Sequence, residues 1–214
     1  MTIDEKEAVR YLGYRNHEPD EKTCSEIRIC SQELLQAAAP KSRVIRVPVT
    51  KRPDGVLQIG ELQVTSTDLA GHLRGCKEAF LFAATLGAPV DRLLRRYSVT
   101  AMSRAVILQA CAAAAIESYC DELEEDLRQK VEAEGLFLRP RYSPGYGDFP
   151  VQQQPELLRI LDAPRQIGLT ATDSCMLVPT KSVTAIIGLT TDKTDCHIRK
   201  CMDCKAKACP FRRE

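Results

Sequence analysis

The pattern of apolar and polar positions predicts one dominant helix. Apolar residues recur every three or four positions from Ser98 to Glu134 and stop at Gly135, a residue typical of a helix C-terminus. This spacing predicts one long helix, or two helices joined near the alanine run. Its first half, Ala105 to Ile116, is apolar nearly all round and is therefore expected to be buried. Shorter helices are predicted over residues 3–12, 23–39, 68–73, 91–97 and 152–162.

Other stretches have the pattern of strands. Val44 to Thr50 alternates apolar and polar residues, and a turn separates it from a second β-like run around Leu57, which predicts a hairpin. Ala79 to Gly87 is continuously apolar between turn residues, as in a fully buried central strand. A β-like run is predicted over Ile167 to Thr172, and a last strand over Ser182 to Leu189.

Helices mixed with hairpin-connected strands, without repeated βαβ units, favour the α+β class. We therefore predict a single domain over residues 1–190, with a long central helix, flanking helices and a mostly antiparallel twisted sheet. Residues 191–214 form a separate, Cys-rich basic tail in this prediction.

Composition narrows the function classes only a little. The 214 residues carry a formal net charge of +1, which gives no global reason to expect nucleic acid or a membrane as partner. The first residues are charged where a signal peptide needs an apolar run, and the longest apolar run is too short to span a membrane, so a cytoplasmic location is expected. Ten cysteines in such a chain favour metal ligands and buried thiols over disulfides.

The loop from Arg139 to Pro150 is the first candidate site, because its prolines and glycines predict a rigid, irregular segment. Arg141 offers a planar fork that matches a carboxylate. The ring of Tyr146 attracts a cation such as a sulfonium by about 0.5–2 kcal/mol, and Gly145 allows close backbone approach to an adenine edge. These groups suit S-adenosylmethionine, although a purely structural, well-packed connection has the same composition.

Glu117 places a carboxylate within the alanine-rich, buried half of the long helix. A buried acid requires a cation or hydrogen-bond donors to offset its desolvation. Glu117 is therefore either a residue on a solvated turn or a partner for an ammonium or an arginine.

The tail is the second candidate site. Cys196, Cys201, Cys204 and Cys209 lie in a strongly basic segment, with Pro210 directly after the last cysteine. Thiolates at this spacing can converge on one tetrahedral metal or one cluster. The Cys-x4-Cys-x2-Cys spacing favours an iron–sulfur cluster over zinc, and His197 is a possible substitute ligand.

The sequence from Arg139 to about Gly188 resembles the activation domain of cobalamin-dependent methionine synthase, and a weaker, colinear resemblance precedes it. The resemblance rests on Arg141-x-Ser-Pro-Gly-Tyr146 and on Thr172-Asp-Ser-Cys-Met-Leu-Val-Pro179-x-x-Ser-Val183. It implies that S-adenosylmethionine is bound by Arg141, Ser143, Gly145, Tyr146, Asp173 and Ser174, with Glu117 as the candidate for a ligand-contacting glutamate on the long helix. The family has Pro-Ala-Cys where this chain has Gly147-Asp148-Phe149.

The resemblance further implies an activation module that binds S-adenosylmethionine and supports reductive remethylation of a corrinoid cofactor. The chain has no Asp-x-His-x-x-Gly corrinoid-binding signature, so the cobalamin would come from a partner, a corrinoid-binding or methionine synthase protein, and this chain alone would be catalytically incomplete. A cluster in the tail would deliver the electron that Co(II) needs. The alternative is a metal-bearing interaction protein whose basic tail docks a partner.

Overall fold

The computed structural model describes residues 1–14, 17–194 and 196. The helices are α1 (Glu5–Tyr11), α2 (Glu21–Ala37), α3 (Thr67–His72), α4 (Ala88–Thr100), α5 (Met102–Glu132), α6 (Gln154–Ile160) and α7 (Ala163–Ile167). The strands are β1 (Lys41–Lys51), β2 (Leu57–Ile59), β3 (Leu62–Val64), β4 (Glu78–Thr85), β5 (Phe137–Leu138), β6 (Thr170–Ala171), β7 (Leu177–Val178) and β8 (Ser182–Thr190).

The main sheet has six strands in the order β3-β2-β1-β4-β8-β5, and every neighbouring pair is antiparallel. β6 and β7 form a separate two-stranded hairpin. The helices and this antiparallel sheet confirm the α+β class and the long central helix.

The sheet is covered on both faces, which explains the continuous apolar run of β4. Phe80 and Phe82 point into a core shared with α1, α2, α4 and α5, whereas Leu81 and Ala83 point into a second core shared with α3, α6 and α7. Because side chains alternate between the faces of a strand, a strand buried on both sides loses its polar alternation. Phe82 and Leu81 have no exposed surface.

The long helix begins later than the periodicity predicts. Ala101, in a non-helical conformation at φ −157° and ψ 82°, separates α4 from α5, so the break lies before the long helix and not at its alanine run. Cys111 and Cys120 are fully buried on α5. Burial raises the pKa of the Cys120 thiol to about 12, which keeps this thiol protonated in the core.

Two local predictions are wrong. The second helix, predicted from residue 23, begins two residues earlier at Glu21, because the Asp20 carboxylate caps it by accepting a hydrogen bond from the Thr23 amide at 2.7 Å. The predicted strand from Ile167 begins only at Thr170, because Pro164 sits in the first turn of α7 and Ile167 ends that helix. Within the described residues, no helix is long and apolar enough to cross a membrane.

Candidate functional site

The candidate loop leaves the sheet along its β5 edge. The Arg139 amide donates to the Gly188 carbonyl at 2.8 Å, and Tyr142 exchanges two backbone hydrogen bonds with Ile186 of β8. The loop then closes on itself, because the Gly145 amide donates to the Phe149 carbonyl at 2.8 Å and the Phe149 amide donates to the Tyr146 carbonyl at 3.0 Å. Backbone hydrogen bonds therefore join the loop both to β8 and to itself.

Arg141 points to one face of α5, where three carboxylates surround its guanidinium. Nη2 lies 2.8 Å from Asp121 Oδ1 and 3.0 Å from Glu117 Oε2, and Nη1 lies 3.0 Å from Glu124 Oε2. Burial disfavours the charged guanidinium, but the carboxylates outweigh this effect and raise the pKa of Arg141. Three acids against one arginine leave an excess of negative charge, which favours a cationic ligand beside Arg141.

The buried acid on α5 is Glu124 and not Glu117. The Glu117 side chain is 37% exposed, whereas that of Glu124 is 2% exposed and that of Arg141 is 8% exposed. Glu117, Asp121 and Glu124 follow an i, i+4, i+7 spacing, which places them on the same helix face. This acidic spacing is the sequence feature that identifies Asp121 and Glu124, which the motif analysis missed.

A cavity of about 460 Å³ opens beside these acids, between α5 and the N-terminal segment that carries α1. Its wall is strongly acidic and contains Asp4, Glu7, Glu117, Asp121, Glu122 and Glu125. The cavity therefore extends the negative charge of the Arg141 cluster to the solvent, in a space large enough for the amino-acid end of a small ligand.

Asp148 ties the candidate loop to α3. Its carboxylate accepts hydrogen bonds from the Ser66 hydroxyl, from the Thr67 amide at 2.7 Å and from the Asp68 amide at 3.1 Å. These bonds, that from Ser66 foremost, lower the pKa of Asp148. The Gly147-Asp148-Phe149 departure from the family motif is thus an anchor: Asp148 holds α3 and Phe149 is buried in the second core.

An aromatic cluster of His72, Tyr142, Phe149 and Tyr146 extends from the buried side of the loop to its exposed face. The Tyr142 ring lies 5.0 Å from the His72 ring, 6.4 Å from Phe149 and 6.5 Å from Tyr146, measured between centroids. Tyr146 is 67% exposed. The inner rings therefore fix the loop, while the Tyr146 ring remains accessible to a ligand or partner.

The second segment of the resemblance, residues 172–183, includes the tip of the β6–β7 hairpin. Asp173 and Ser174 are exposed at the tip of the β6–β7 hairpin, where the Ser174 hydroxyl lies 2.9 Å from the Thr172 hydroxyl. Within the described residues, no hydrogen bond or ion pair joins them to Arg141 or Tyr146. Ser143 is half-buried in the loop and its carbonyl accepts from the Tyr146 amide at 3.2 Å.

Most of the cysteine tail lies outside the described residues. Cys201, Cys204 and Cys209 are among the residues that are not described. Cys196 is described, and its thiol lies 3.3 Å from the Asp192 carbonyl oxygen. No group of three or more potential metal ligands occurs within the described part of the chain. The predicted metal site therefore remains a prediction from spacing.

The fold and site define a class of α+β domain with an antiparallel sheet and a long central helix. In this class an Arg-Gly-Tyr loop lies against an acidic helix face. The family model "Vitamin B12 dependent methionine synthase, activation domain" matches residues 72–207, and the chain belongs to this family. The fold is similar to the crystal structure of the MetH reactivation domain bound to AdoHcy, with a TM-score of 0.64, 17% identity, and coverage of 89% of this chain and 74% of that chain. No curated protein matches the chain.

Proposed function

We propose that the chain binds S-adenosylmethionine beside Arg141 and serves as the activation module of a cobalamin-dependent methyltransferase. The observation that carries this proposal is the juxtaposition of the family's loop with the acids of α5, since Arg141 lies 3.0 Å from Glu117. The similar reactivation domain, which holds AdoHcy, supports a ligand of this chemical class.

The charges suggest how the ligand is oriented. S-adenosylmethionine carries an ammonium and a sulfonium, and the acidic cavity at Glu117 and Asp121 favours the ammonium. The exposed Tyr146 ring is suited to the sulfonium. The Arg141 fork is engaged by protein carboxylates, so binding of the ligand's carboxylate requires an exchange of partners at Arg141 in this proposal.

Chemically, the module contributes position and water exclusion. A Co(I) centre supplied by the partner would take the methyl group from the sulfonium by in-line displacement and leave the thioether, which needs no general base, so the loop would contribute the orientation of the methyl group. The cobalamin is supplied by a corrinoid-binding or methionine synthase partner in this proposal, and Gly145, Ser143, Asp173 and Ser174 complete the ligand site.

Isothermal titration calorimetry with S-adenosylmethionine tests the binding site. Tyr146→Ala removes the exposed ring and is expected to weaken binding about 2–30-fold, in line with a cation–π loss of about 0.5–2 kcal/mol, whereas Tyr146→Phe retains most of the affinity. Glu117→Gln is expected to weaken binding as well, because one negative charge at the cavity is lost.

Glu132→Gln, on the exposed end of the same helix, is the matched control and is expected to bind as the wild type does. Absence of binding heat with the wild type, both alone and with a cobalamin-loaded partner, would rule out the proposed function. Equal affinities of wild type, Tyr146→Ala and Glu117→Gln would place the ligand elsewhere.

We also propose that Cys196, Cys201, Cys204 and Cys209 bind one metal centre, an iron–sulfur cluster in preference to zinc. The support is the Cys-x4-Cys-x2-Cys-x4-Cys-Pro spacing in the sequence. Anaerobic purification is expected to give a visible absorption band and bound iron, both lost in Cys204→Ser. A colourless protein that contains zinc would contradict the cluster, and a metal-free protein would contradict both forms.

A further inference from the structure

An exposed apolar surface lies where α4 meets α5. Val99 is 84% exposed at the end of α4, and Met102 and Val106 on α5 are 64% and 54% exposed. Met102 and Val106 follow an i, i+4 spacing and share a helix face, and Val99 precedes Met102 by three residues. Three large apolar side chains grouped in this way differ from the scattered single exposures that are normal on a protein surface. We call Val99, Met102 and Val106 the corner patch.

Two arginines continue this surface along α4. Arg92 and Arg95 precede Val99 at i−7 and i−4, which places all three on one side of the helix. Both arginines are exposed, and neither forms an ion pair with any residue that the structure describes.

Arg96 and Arg104 differ from Arg92 and Arg95 because each forms an ion pair with an acid of α2. Arg96 lies 2.5 Å from Glu33, and Arg104 lies 2.8 Å from Glu26. Among the residues that the structure describes, no acid pairs with Arg92 or Arg95 beside the corner patch, whereas Arg96, on the other side of α4, is paired with Glu33. An apolar centre with a charged rim is the usual anatomy of a protein interface.

We propose that the corner patch docks a protein partner whose own surface presents carboxylates around an apolar centre. The unpaired Arg92 and Arg95 specify an acidic partner through charge complementarity, and they would accelerate encounter with it. The aliphatic centre favours a protein over a nucleic acid, since it offers no aromatic ring on which a base could stack. The inference rests on the proposed function in one respect: the partner is the cobalamin-carrying protein.

The corner patch and the ligand site can be tested separately. Val106 and Glu117 are 11 residues apart on α5, a distance of about 16 Å along a helix that rises 1.5 Å per residue. Substitutions at the corner patch are therefore expected to leave S-adenosylmethionine affinity unchanged. Since Val106 is largely exposed, Val106→Asp retains the fold.

The experiment measures binding of the full chain to a purified, cobalamin-loaded methionine synthase that lacks its own activation domain. Val106→Asp and the double variant Arg92→Glu/Arg95→Glu are each expected to weaken binding at least 10-fold, and the double variant also loses the salt dependence of association. Ile29→Asp, which alters an exposed apolar residue on α2, is the matched control and is expected to bind as the wild type does.

Each outcome decides the inference. Unchanged partner affinity in both variants, or no binding by the wild type, overturns it, even where calorimetry shows that S-adenosylmethionine is bound. Self-association of the wild type that Val106→Asp abolishes would assign the corner patch to a second copy instead, and binding to anionic vesicles or to DNA that the arginine variant abolishes would assign it to those partners. Partner binding lost in both variants but without any S-adenosylmethionine binding would retain the docking surface and remove the proposed ligand.

Discussion

Arg141 and Glu124 show how a single buried ion pair constrains this fold. Their side chains are 8% and 2% exposed, and their charged atoms lie 3.0 Å apart. Removal of one partner from such a pair leaves a desolvated charge, which typically costs about 3–5 kcal/mol. Arg141 is therefore a structural residue as well as a candidate ligand contact, and for this reason the exposed Tyr146 and Glu117 are better probes of binding.

Two features restrict which residue can occupy position 147. The backbone of Gly147 is left-handed, and neighbouring side chains leave little space for a Cβ atom. Its φ is +54°, and a Cβ atom there would lie 2.3 Å from Asp68 Oδ2 and 2.5 Å from the Tyr142 hydroxyl. Gly168 has a similar φ of +69° but open space where its Cβ would be. The two glycines therefore share the backbone requirement and differ in crowding.

Gly147→Ala is expected to destabilise the protein more than Gly168→Ala does. Both variants incur the left-handed backbone cost of about 1–2 kcal/mol. Overpacking against Asp68 and Tyr142 adds about 1–3 kcal/mol in Gly147→Ala alone. Urea unfolding measures the difference in the free energy of unfolding, and equal losses in the two variants would show that the loop moves to accept a side chain.

At the scale of elements, the candidate loop and α3 behave as one unit. The Asp148 carboxylate accepts hydrogen bonds from the Ser66 hydroxyl and from the amides of Thr67 and Asp68. The Asp68 carboxylate in turn accepts a hydrogen bond from the Asp148 amide at 3.2 Å. Ser66 also caps its own helix through the Leu69 amide at 3.0 Å. These reciprocal contacts fix the loop to a helix about 80 positions earlier in the chain, which explains why Asp148 is not found by a local motif.

The pH dependence of stability is expected to report this contact. The folded pKa of Asp148 is below its unfolded value of about 3.9. The unfolded state therefore binds more protons near that pH, so the stabilisation by Asp148 is complete above pH of about 4 and is lost as the pH falls through the folded pKa.

Asp148→Asn is accordingly expected to lower the unfolding temperature at pH 7 and to reduce its further decrease between pH 5 and pH 3. Thermal unfolding followed by circular dichroism at these pH values measures the effect. Asp126→Asn, at an exposed position on α5, serves as the control. If the two variants have the same pH profile, Asp148 does not stabilise the folded state through its carboxylate.

At the scale of the whole molecule, periodicity predicted the architecture because burial follows simple patterns here. The continuous apolar run of β4 indicates a strand covered on both sides, and the alanine-rich run of α5 indicates a helix packed against the sheet. Periodicity does not define short elements as well. β6 comprises only two residues, and Ile167, where the strand was expected to begin, belongs to α7. Pro164 was the available indication of that helix.

The candidate site was only partly predictable. The motif located Arg141, Gly145 and Tyr146, but pairing with Glu124 depends on how α5 packs against the sheet edge, which no local pattern records. Glu117 was predicted from its place in an apolar run, although the helix turns it towards the acidic cavity. Long-range contacts between elements therefore account for what the sequence left open.

The contact between Arg139 and Thr194 fixes the end of the chain that the structure describes. Arg139 Nη1 donates to the Thr194 carbonyl at 2.5 Å, at the sheet edge from which the candidate loop also departs. Arg139 therefore holds Thr194 at the sheet edge where the Arg141 loop begins, so one side chain joins the end of the described chain to the start of the candidate loop.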